Sequence, residues 1–500
     1  MAVNVNPTLS KSQYIKGLQC PKAFWFYRHR KDLAPEITPA KQAVFDTGNE
    51  VGLLAQDYFE GGIEVVADYW DVEKSIELTG QYIEKGYKQI YEATALHPAN
   101  GLYSRIDILC KADDSDQWDL IEVKSSTSVK DYHIDDLSFQ YYVFSNAGYK
   151  IRHCYMMVID NKYQRSGEID PQEFLRMECI TDQVIVKQEE VEFRAEKLLT
   201  IASSKTEPIV DIGARCNKPF ECDYKEHCWK HVPDYSIFNI YQSGKAEEIV
   251  NSISSFSIND IPDDALPSGS KLIDISSYRS GTIFVDEQNI DKFLKRLEYP
   301  LYYLDYETVW PAIPLYDGAR PYQQVPFQFS LHIQRSPDSA LEHHEFLHRD
   351  ASDPRSAFAK FLIEVCGDRG SVIVYNQSFE EKRNSELARD FPEFALSLGN
   401  INARMIDLLV PFKNRWLYHP DQKGSASIKS VLPAFTDLNY VEMDIAGGED
   451  ASRLYKHFVE GIIDEGEVEK LWSDLSKYCA LDTLAMVELI DVLREFKPGA

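Results

Sequence analysis

The segment YPLYYLDYETVW, residues 299–310, predicts a buried strand at the centre of an α/β fold. Apolar and aromatic side chains dominate it, and Asp305 and Glu307 are its only acidic residues. Side chains two residues apart on a strand point to the same face. The segment therefore predicts two carboxylates side by side on one face of a core strand.

Two later segments carry further candidate residues for the same site. VIVYNQSFEEKR, residues 372–383, reads as another buried strand followed by a polar turn that contains Glu380. KYCALDTLAM, residues 477–486, reads as a helix in which Tyr478 and Asp482 are four residues apart and share a face. Carboxylates grouped in this way are suited to holding divalent metal ions.

The order D-x-E, N-x-x-F-E and Y-x3-D resembles the DEDD exonucleases of the ribonuclease H-like fold. Glu380 stands where that family normally has an aspartate. The resemblance implies 3′→5′ exonuclease activity with Mg²⁺ or Mn²⁺, and Tyr478 orienting the attacking water or helping to deprotonate it. The metal ligands that it implies are Asp305, Glu307, Glu380 and Asp482.

An earlier pair of strands predicts a second acidic site. GLYSRIDILCK (101–111) contains Asp107, and WDLIEVKSS (118–126) contains Glu122 and Lys124 on one strand face. Hairpin pairing would bring Asp107 next to them. Two carboxylates and a lysine at a strand edge suit metal-assisted phosphodiester hydrolysis, because the carboxylates hold Mg²⁺ or Mn²⁺ and the lysine stabilises developing charge.

The pattern D-x14-E-V-K resembles the PD-(D/E)XK nuclease superfamily. Gln140, in the following helix LSFQYYVF, matches the Q-x3-Y motif of RecB-like nucleases, with Phe144 where tyrosine is usual. Gly52, in TGNEVGLLAQ, occupies the position of the family's metal-binding histidine. Glu50 is therefore the expected substitute metal ligand.

Four cysteines flank this acidic pattern. Cys20 precedes it, and Cys216, Cys222 and Cys228 follow it with five residues between neighbours. Four thiolates can hold an iron–sulfur cluster or zinc, and the five-residue spacings fit a zinc knuckle poorly. The arrangement resembles the iron–sulfur RecB-like nucleases, including CRISPR-associated RecB-family and AddB-type proteins, which implies a 4Fe–4S cluster as a clasp with zinc as the alternative.

Three regions are predicted along the 500 residues. They are a RecB-like PD-(D/E)XK domain with a restriction-endonuclease-like fold (1–232), a connector with short helices (233–292) and a DEDD-type, ribonuclease H-like domain (293–500). The whole chain resembles an uncharacterised bacterial family that fuses these two nuclease domains. The resemblance implies a two-site nuclease acting on DNA more than on RNA; a binding scaffold without chemistry and an RNA-processing exonuclease are the alternatives.

Composition restricts the other classes of function. The net charge of −27 argues against a basic protein that coats nucleic acid, although an enzyme needs only a local basic groove. No apolar run approaches the ~20 residues of a spanning helix, and no apolar signal segment is visible at the N-terminus. We therefore expect a cytoplasmic protein without a membrane partner.

Overall fold

The structure is a computed structural model that describes residues 8–113, 115–441, 443–445 and 447–499. It is mixed α/β, and the chain divides into two compact units, Met1–His231 and Val232–Ala500. Within the described residues, every helix is too short or too polar to span a membrane.

A seven-stranded mixed sheet forms the core of the first unit. Its strands are β1 (Leu9–Ser10), β2 (Ile63–Glu64), β3 (Gln89–Leu96), β4 (Leu102–Lys111), β5 (Gln117–Lys124), β6 (Lys150–Ile159) and β7 (Leu175–Cys179). The order is β2-β3-β4-β5-β6-β7, and β1 pairs in parallel with the start of β4. As the sequence predicts, β4 and β5 are antiparallel neighbours.

The helices of this unit are α1 (Lys11–Gln19), α2 (Pro21–His29), α3 (Pro39–Tyr58), α4 (Val72–Glu84), α5 (Asp131–Asn146), α6 (Pro171–Phe174), α7 (Thr181–Val186), α8 (Gln188–Ser203) and α9 (Lys225–Trp229). Among them, α1, α5 and α8 contribute to the apolar core beside the sheet. Alternate residues of β4, such as Leu102 and Ile106, are buried, and Phe139 of α5 packs in the same core. The side chains of Tyr103, Arg105 and Asp107 lie on the opposite face of β4, so that face is available for a functional site.

A five-stranded sheet forms the core of the second unit. The strands of this unit are β8 (Phe284–Val285), β9 (Leu301–Val309), β10 (Val325–Gln334), β11 (Leu341–Leu347), β12 (Ser371–Val374), β13 (Met405–Asp407) and β14 (Leu417–Tyr418). The main sheet has the order β11-β10-β9-β12-β13, and β8 pairs with β14 separately. Within the main sheet β10 alone runs against its neighbours.

Helices pack on both faces of the main sheet. The helices of the second unit are α10 (Ile237–Ile240), α11 (Ser243–Ile253), α12 (Ser270–Ser280), α13 (Glu287–Leu294), α14 (Arg355–Cys366), α15 (Gln377–Asp390), α16 (Ala395–Ala403), α17 (Leu409–Lys413), α18 (Ile428–Phe435), α19 (Gly448–Val459) and α20 (Val468–Glu495). Tyr302 and Leu304 of β9 pack with α14 to α16, whereas Tyr303 packs with α20. Because Asp305 and Glu307 alternate in phase with Tyr303, both point to the α20 face.

The segment 233–292, predicted as a connector with short helices, is folded into the second unit. Its helices enclose an apolar cluster of their own that includes Ile237, Ile249 and Ile258. The buried Arg415 guanidinium donates to the buried Asp274 carboxylate, with 2.5 Å between Nε and Oδ1. These isoleucines are separated along the chain by serine, proline and aspartate residues. Their spacing therefore does not predict the apolar cluster, which forms only through tertiary packing.

Candidate functional site

Three carboxylates converge at the centre of the second unit. Asp305 and Glu307 come from β9 and Asp482 from α20, and one oxygen of each lies within 4.8 Å of the others. Across the described part of the chain, no other group of three or more His, Cys, Asp or Glu residues meets this criterion. The three residues line a cavity of 420 Å³ together with Glu380, Tyr478 and Lys429.

Neighbouring side chains fix the position of Asp482. The Tyr440 hydroxyl donates a hydrogen bond of 2.6 Å to Asp482 Oδ1. The Lys429 ammonium lies 5.5 Å from the ring centre of Tyr440 and 5.1 Å from that of Tyr478. Gly448, at the start of α19, lies so close to Glu307 that a Cβ atom on this glycine would be 3.3 Å from Glu307 Oε2. The sequence analysis missed Tyr440 and Lys429 because no periodic pattern links their loop and helix to Asp482.

The electrostatics of this centre favour a cation. Burial, and then the charge of Asp482, raises the pKa of Asp305 well above its usual value. Burial and Asp305 do the same to the pKa of Glu307, and burial raises the pKa of Asp482 to about 6. Buried carboxylates that raise one another's pKa gain most from a bound positive charge. Oxygen ligands of this kind suit Mg²⁺ or Mn²⁺.

Glu380 faces the same cavity from the first turn of α15. Its side chain is buried, and Glu380 Oε2 has no hydrogen-bond partner among the described atoms. Burial and Asp305 raise its pKa well above the usual value. Asn376, in the left-handed region at φ +89°, precedes the helix, and its amide donates to the carboxylate of Asp407. Glu380 thus lies near Asp305, although its oxygens are outside the group of three.

Tyr478 lies one helical turn before Asp482 and lines the cavity. Burial and the charge of Asp482 raise its pKa far above the ordinary value. The side chain therefore remains a neutral phenol at neutral pH, which can donate a hydrogen bond.

The first unit assembles the predicted D…E-x-K residues at one place. The Asp107 carboxylate accepts a hydrogen bond of 2.6 Å from the amide of Val123. The Lys124 ammonium donates to Glu122 Oε1 over 2.5 Å, and Gln140 Nε2 donates to Glu122 Oε2 over 2.6 Å. Pairing of Ile108 with Ile121 explains the arrangement, because it sets Asp107 opposite Glu122.

Two residues that the sequence analysis missed complete this network. Lys11, at the start of α1, donates to Glu122 Oε1 over 2.7 Å and lies 3.6 Å from Asp136. Asp136 of α5 accepts a hydrogen bond of 2.6 Å from Lys124. Asp136 is four residues before Gln140, so the shared helix face was a usable signal. Lys11 had none, because the pairing of β1 with β4 is what brings it here.

Two further carboxylates are candidates for this centre. The expected third carboxylate, Glu50, lies half-buried in α3. Glu92 of β3 stands beside Asp107, since its neighbours Tyr91 and Ala93 pair with Ile108 and Ile106. Among the described residues, neither Glu50 nor Glu92 forms a group within 4.8 Å with Asp107 and Glu122.

Glu92 and Asp107 have the raised pKa values of a crowded acidic site. Burial, and then the charge of Glu122, raises the pKa of Asp107 to about 8. Burial also raises the pKa of Glu92, which adopts φ +56°, a left-handed conformation uncommon for its residue type. Burial alone would raise the pKa of Glu122, but Lys11 and Lys124 outweigh it and hold the pKa below the usual range. A row of carboxylates on three adjacent strands therefore faces two lysines.

Three of the four cysteines pack in one small cluster with an aromatic wall. Cys20, Cys222 and Cys228 share this cluster with Phe26. Cys20 and Cys216 are each 8 % exposed. Burial raises the pKa of Cys222 to about 11 and that of Cys228 above its usual value. The amide of Cys222 donates to the carbonyl of Cys216 over 2.9 Å.

The spacing of these thiols is wider than a tetrahedral zinc site requires. With Zn–S bonds of ~2.3 Å, sulfur atoms lie about 3.8 Å apart. No three of the described cysteines bring their sulfurs within 4.8 Å of one another. Asp223, next to Cys222, accepts hydrogen bonds from Lys16 and Lys41, which ties this segment to α1 and α3.

Comparisons with known proteins place part of the chain in context. A family model described as a domain of unknown function (DUF2779) matches residues 302–427, which include Asp305, Glu307 and Glu380. The uncharacterized protein UU173 of Ureaplasma parvum is 27 % identical over 297 residues, 53 % of this chain and 42 % of that protein. The uncharacterized MG366 homolog of Mycoplasma pneumoniae is 25 % identical over 221 residues, 40 % of this chain and 33 % of that protein.

The chain therefore spans less than half of the length of these curated relatives. Among solved structures, a crystal structure of SSO0001 is 15 % identical, covers 45 % of this chain and 88 % of that chain, and has a TM-score of 0.26.

Proposed function

We propose that the protein is a metal-dependent nuclease with two active sites. The observation that carries the proposal is the convergence of Asp305, Glu307 and Asp482 within 4.8 Å, beside the unpartnered oxygen of Glu380. A five-stranded sheet in the order third, second, first, fourth, fifth, with one antiparallel strand, supports a ribonuclease H-like fold of the DEDD type.

In the second unit the residues that would hold Mg²⁺ or Mn²⁺ are Asp305, Glu307, Glu380 and Asp482. Bound there, the metal would supply charge neutralisation at the scissile phosphate and activation of water. Tyr478, a neutral phenol at the cavity wall, donates a hydrogen bond that orients the attacking water. Tyr440 keeps Asp482 in place. We propose 3′→5′ removal of nucleotides at this site.

In the first unit we propose a RecB-like PD-(D/E)XK site with Asp107 and Glu122 as metal ligands. Glu50, and Glu92 beside Asp107, are the proposed further carboxylates of this site. Lys124, held by Glu122 and Asp136, stabilises the charge that develops on the phosphate. Gln140 orients Glu122. DNA is the proposed substrate of both sites.

We also propose that Cys20, Cys216, Cys222 and Cys228 hold a 4Fe–4S cluster. Cys20, Cys222 and Cys228 pack against the same aromatic residues, and the five-residue spacings of Cys216, Cys222 and Cys228 fit a zinc knuckle poorly, which favours a cluster over a zinc site. The Cys228→Ser variant should lose visible absorption of the cluster and iron after anaerobic purification, whereas Cys179→Ser, an exposed cysteine elsewhere, should not. Stoichiometric zinc without iron in the wild-type protein would contradict the cluster.

The nuclease proposal is tested with labelled single-stranded DNA and Mn²⁺. The wild-type protein should release nucleotides, and Asp305→Asn should lose this release because it removes a ligand charge while keeping the shape. Asp338→Asn, a change of the same chemistry in an exposed turn, is the matched control and should retain activity. Equal rates for the Asp305 and Asp338 variants would refute the proposed role of the second unit.

A further inference from the structure

A second cavity, of 340 Å³, lies beside Lys124 in the first unit. This volume is at the lower end of the range for ligand sites, about 300–1,000 Å³. Its lining includes Lys124, Lys130, Tyr132, Asp136 and Phe220. Because Lys124 also contacts Glu122, a molecule in this cavity lies next to the acidic centre.

An aromatic pair forms one wall of the cavity. Tyr132 lies in the first turn of α5, and Phe220 lies between Cys216 and Cys222; their ring centres are 4.8 Å apart at 69°. Phe220 is 49 % exposed, and its carbonyl accepts a hydrogen bond of 2.7 Å from Gln19. An exposed aromatic side chain on an anchored backbone offers a face for stacking of a nucleic-acid base.

Positive charge accompanies the aromatic wall. Lys130 is exposed, and its ammonium lies 5.8 Å from the ring centre of Tyr132. Lys124 supplies a second ammonium in the same cavity. Lys124 is paired with Glu122 and Asp136, whereas Lys130 offers an exposed ammonium to a phosphate. Lys130 lies beside the half-buried Tyr132 and the exposed Phe220, which together complement a phosphate backbone with accessible bases.

We propose that this cavity binds one nucleotide of a single-stranded nucleic acid, with its base on Phe220 and Tyr132 and its phosphate at Lys130. The inference rests on the proposed nuclease function of the first unit and names its substrate as single-stranded. Paired bases of a duplex are stacked on one another and expose no face to Phe220. The cysteine segment thus contributes directly to substrate binding through Phe220.

Photocross-linking of the full-length protein tests this inference at the site itself. The probes are a short oligothymidine and a short oligouridine that carry 5-iodouracil, used without added Mg²⁺ or Mn²⁺ so that no cleavage occurs. We expect adducts on the peptides that contain Tyr132 or Phe220, and the two probes distinguish DNA from RNA. Adducts confined to other peptides, or equal competition by a duplex of the same length, would overturn the proposal.

Variants identify the contacts. Phe220→Ala should lower cross-linking about tenfold, the size expected for loss of one stacked base, and Phe220→Tyr should restore it. Lys130→Gln should weaken binding and reduce its salt dependence. The matched control is Phe193→Ala, which removes an exposed phenylalanine of α8 whose ring lies 4.0 Å from the Lys197 ammonium. If Phe220→Ala unfolds the segment, the Lys130→Gln variant still tests the proposal, because Lys130 is exposed. Unchanged cross-linking in Lys130→Gln would overturn the proposal.

Cleavage assays on the same variants separate the two claims. Cross-linking at Phe220 without cleavage by any added metal would refute the proposed activity of the first unit and keep the binding site. These cleavage assays use the Asp305→Asn background, which removes the activity proposed for the second unit. In that background, cleavage that survives unchanged in Phe220→Ala and Lys130→Gln would refute the binding site and keep the activity of the first unit.

Discussion

At the scale of single residues, the two phenols around Asp482 have different tasks. The Tyr440 hydroxyl donates to Asp482 Oδ1 and its ring lies 5.5 Å from the Lys429 ammonium, whereas Tyr478 lines the cavity itself. Both hydroxyls are neutral, since burial raises both pKa values far above neutral pH. The chemistry of the site therefore depends on which phenol faces the substrate.

Tyr478→Phe should slow nucleotide release about 10²–10⁴-fold, the range for loss of a positioned proton donor or acceptor. Affinity for Mn²⁺ should stay nearly unchanged, because the carboxylates remain. Tyr440→Phe is the matched control: it should weaken Mn²⁺ binding through Asp482 more than it slows the chemical step. Single-turnover rates and Mn²⁺ titrations of both variants distinguish these roles, and the opposite pattern would reverse the assignment.

Metal binding at this centre should depend on pH. Burial raises the pKa of Asp482 to about 6, above the ~3.9 of an ordinary aspartate. Between these values the folded metal-free protein holds a proton that the unfolded chain has lost, so its stability falls as pH rises through this window. A metal ion needs the ionised form, so Mn²⁺ affinity should rise with pH through about 6.

Calorimetry of Mn²⁺ binding in buffers of different ionisation enthalpy measures the protons released. The Glu122→Gln background removes a ligand of the first unit, and adding Asp482→Asn should abolish part of the proton release. Binding that is independent of pH between 5 and 7 (roughly one unit either side of this pKa) would contradict a raised pKa at Asp482.

At the scale of secondary-structure elements, the sequence predicts the strands that carry chemistry. The pattern of apolar residues predicts the bounds of β4, β5 and β9 to within two residues, because each of these strands buries at least one face. It fails for contacts between distant elements. Lys11 reaches its site because β1 pairs with β4. Glu92 is a locally left-handed residue within β3, and Tyr440 reaches Asp482 from a loop. None of these features has a periodic signature in the sequence.

A buried ion pair between Asp274 and Arg415 links α12 to the segment before β14. Asp274 is fully buried, and Arg415 also donates to the carbonyls of Phe412 and Gly424. Asp274→Ala would leave the guanidinium buried without its counter-charge, so it should lower the free energy of unfolding by about 3–5 kcal/mol.

Urea denaturation of the full chain measures this change. Asp264→Ala, an exposed aspartate of the same segment, should shift the midpoint little. Equal midpoints for both variants would indicate that 233–292 is a loosely attached connector after all.

At the scale of the whole molecule, the proposed function has two separate metal centres, one in each compact unit. The acidic residues and lysine of one centre all come from residues before 232, and those of the other all come from residues after 300. The sequence motifs indicated this division. The sequence could not reveal that 233–292 belongs to the second unit, because its core isoleucines are far apart along the chain.

The most direct test of the two-site account is digestion of 3′-end-labelled single-stranded DNA with Mn²⁺ by Lys124→Ala, Asp305→Asn and the double variant. We predict that Lys124→Ala still releases 3′-terminal nucleotides, that Asp305→Asn does not, and that the double variant cleaves nothing. Loss of all cleavage in Lys124→Ala alone would contradict separate centres. Unchanged release of 3′-terminal nucleotides in Asp305→Asn would contradict the proposed metal centre of the second unit.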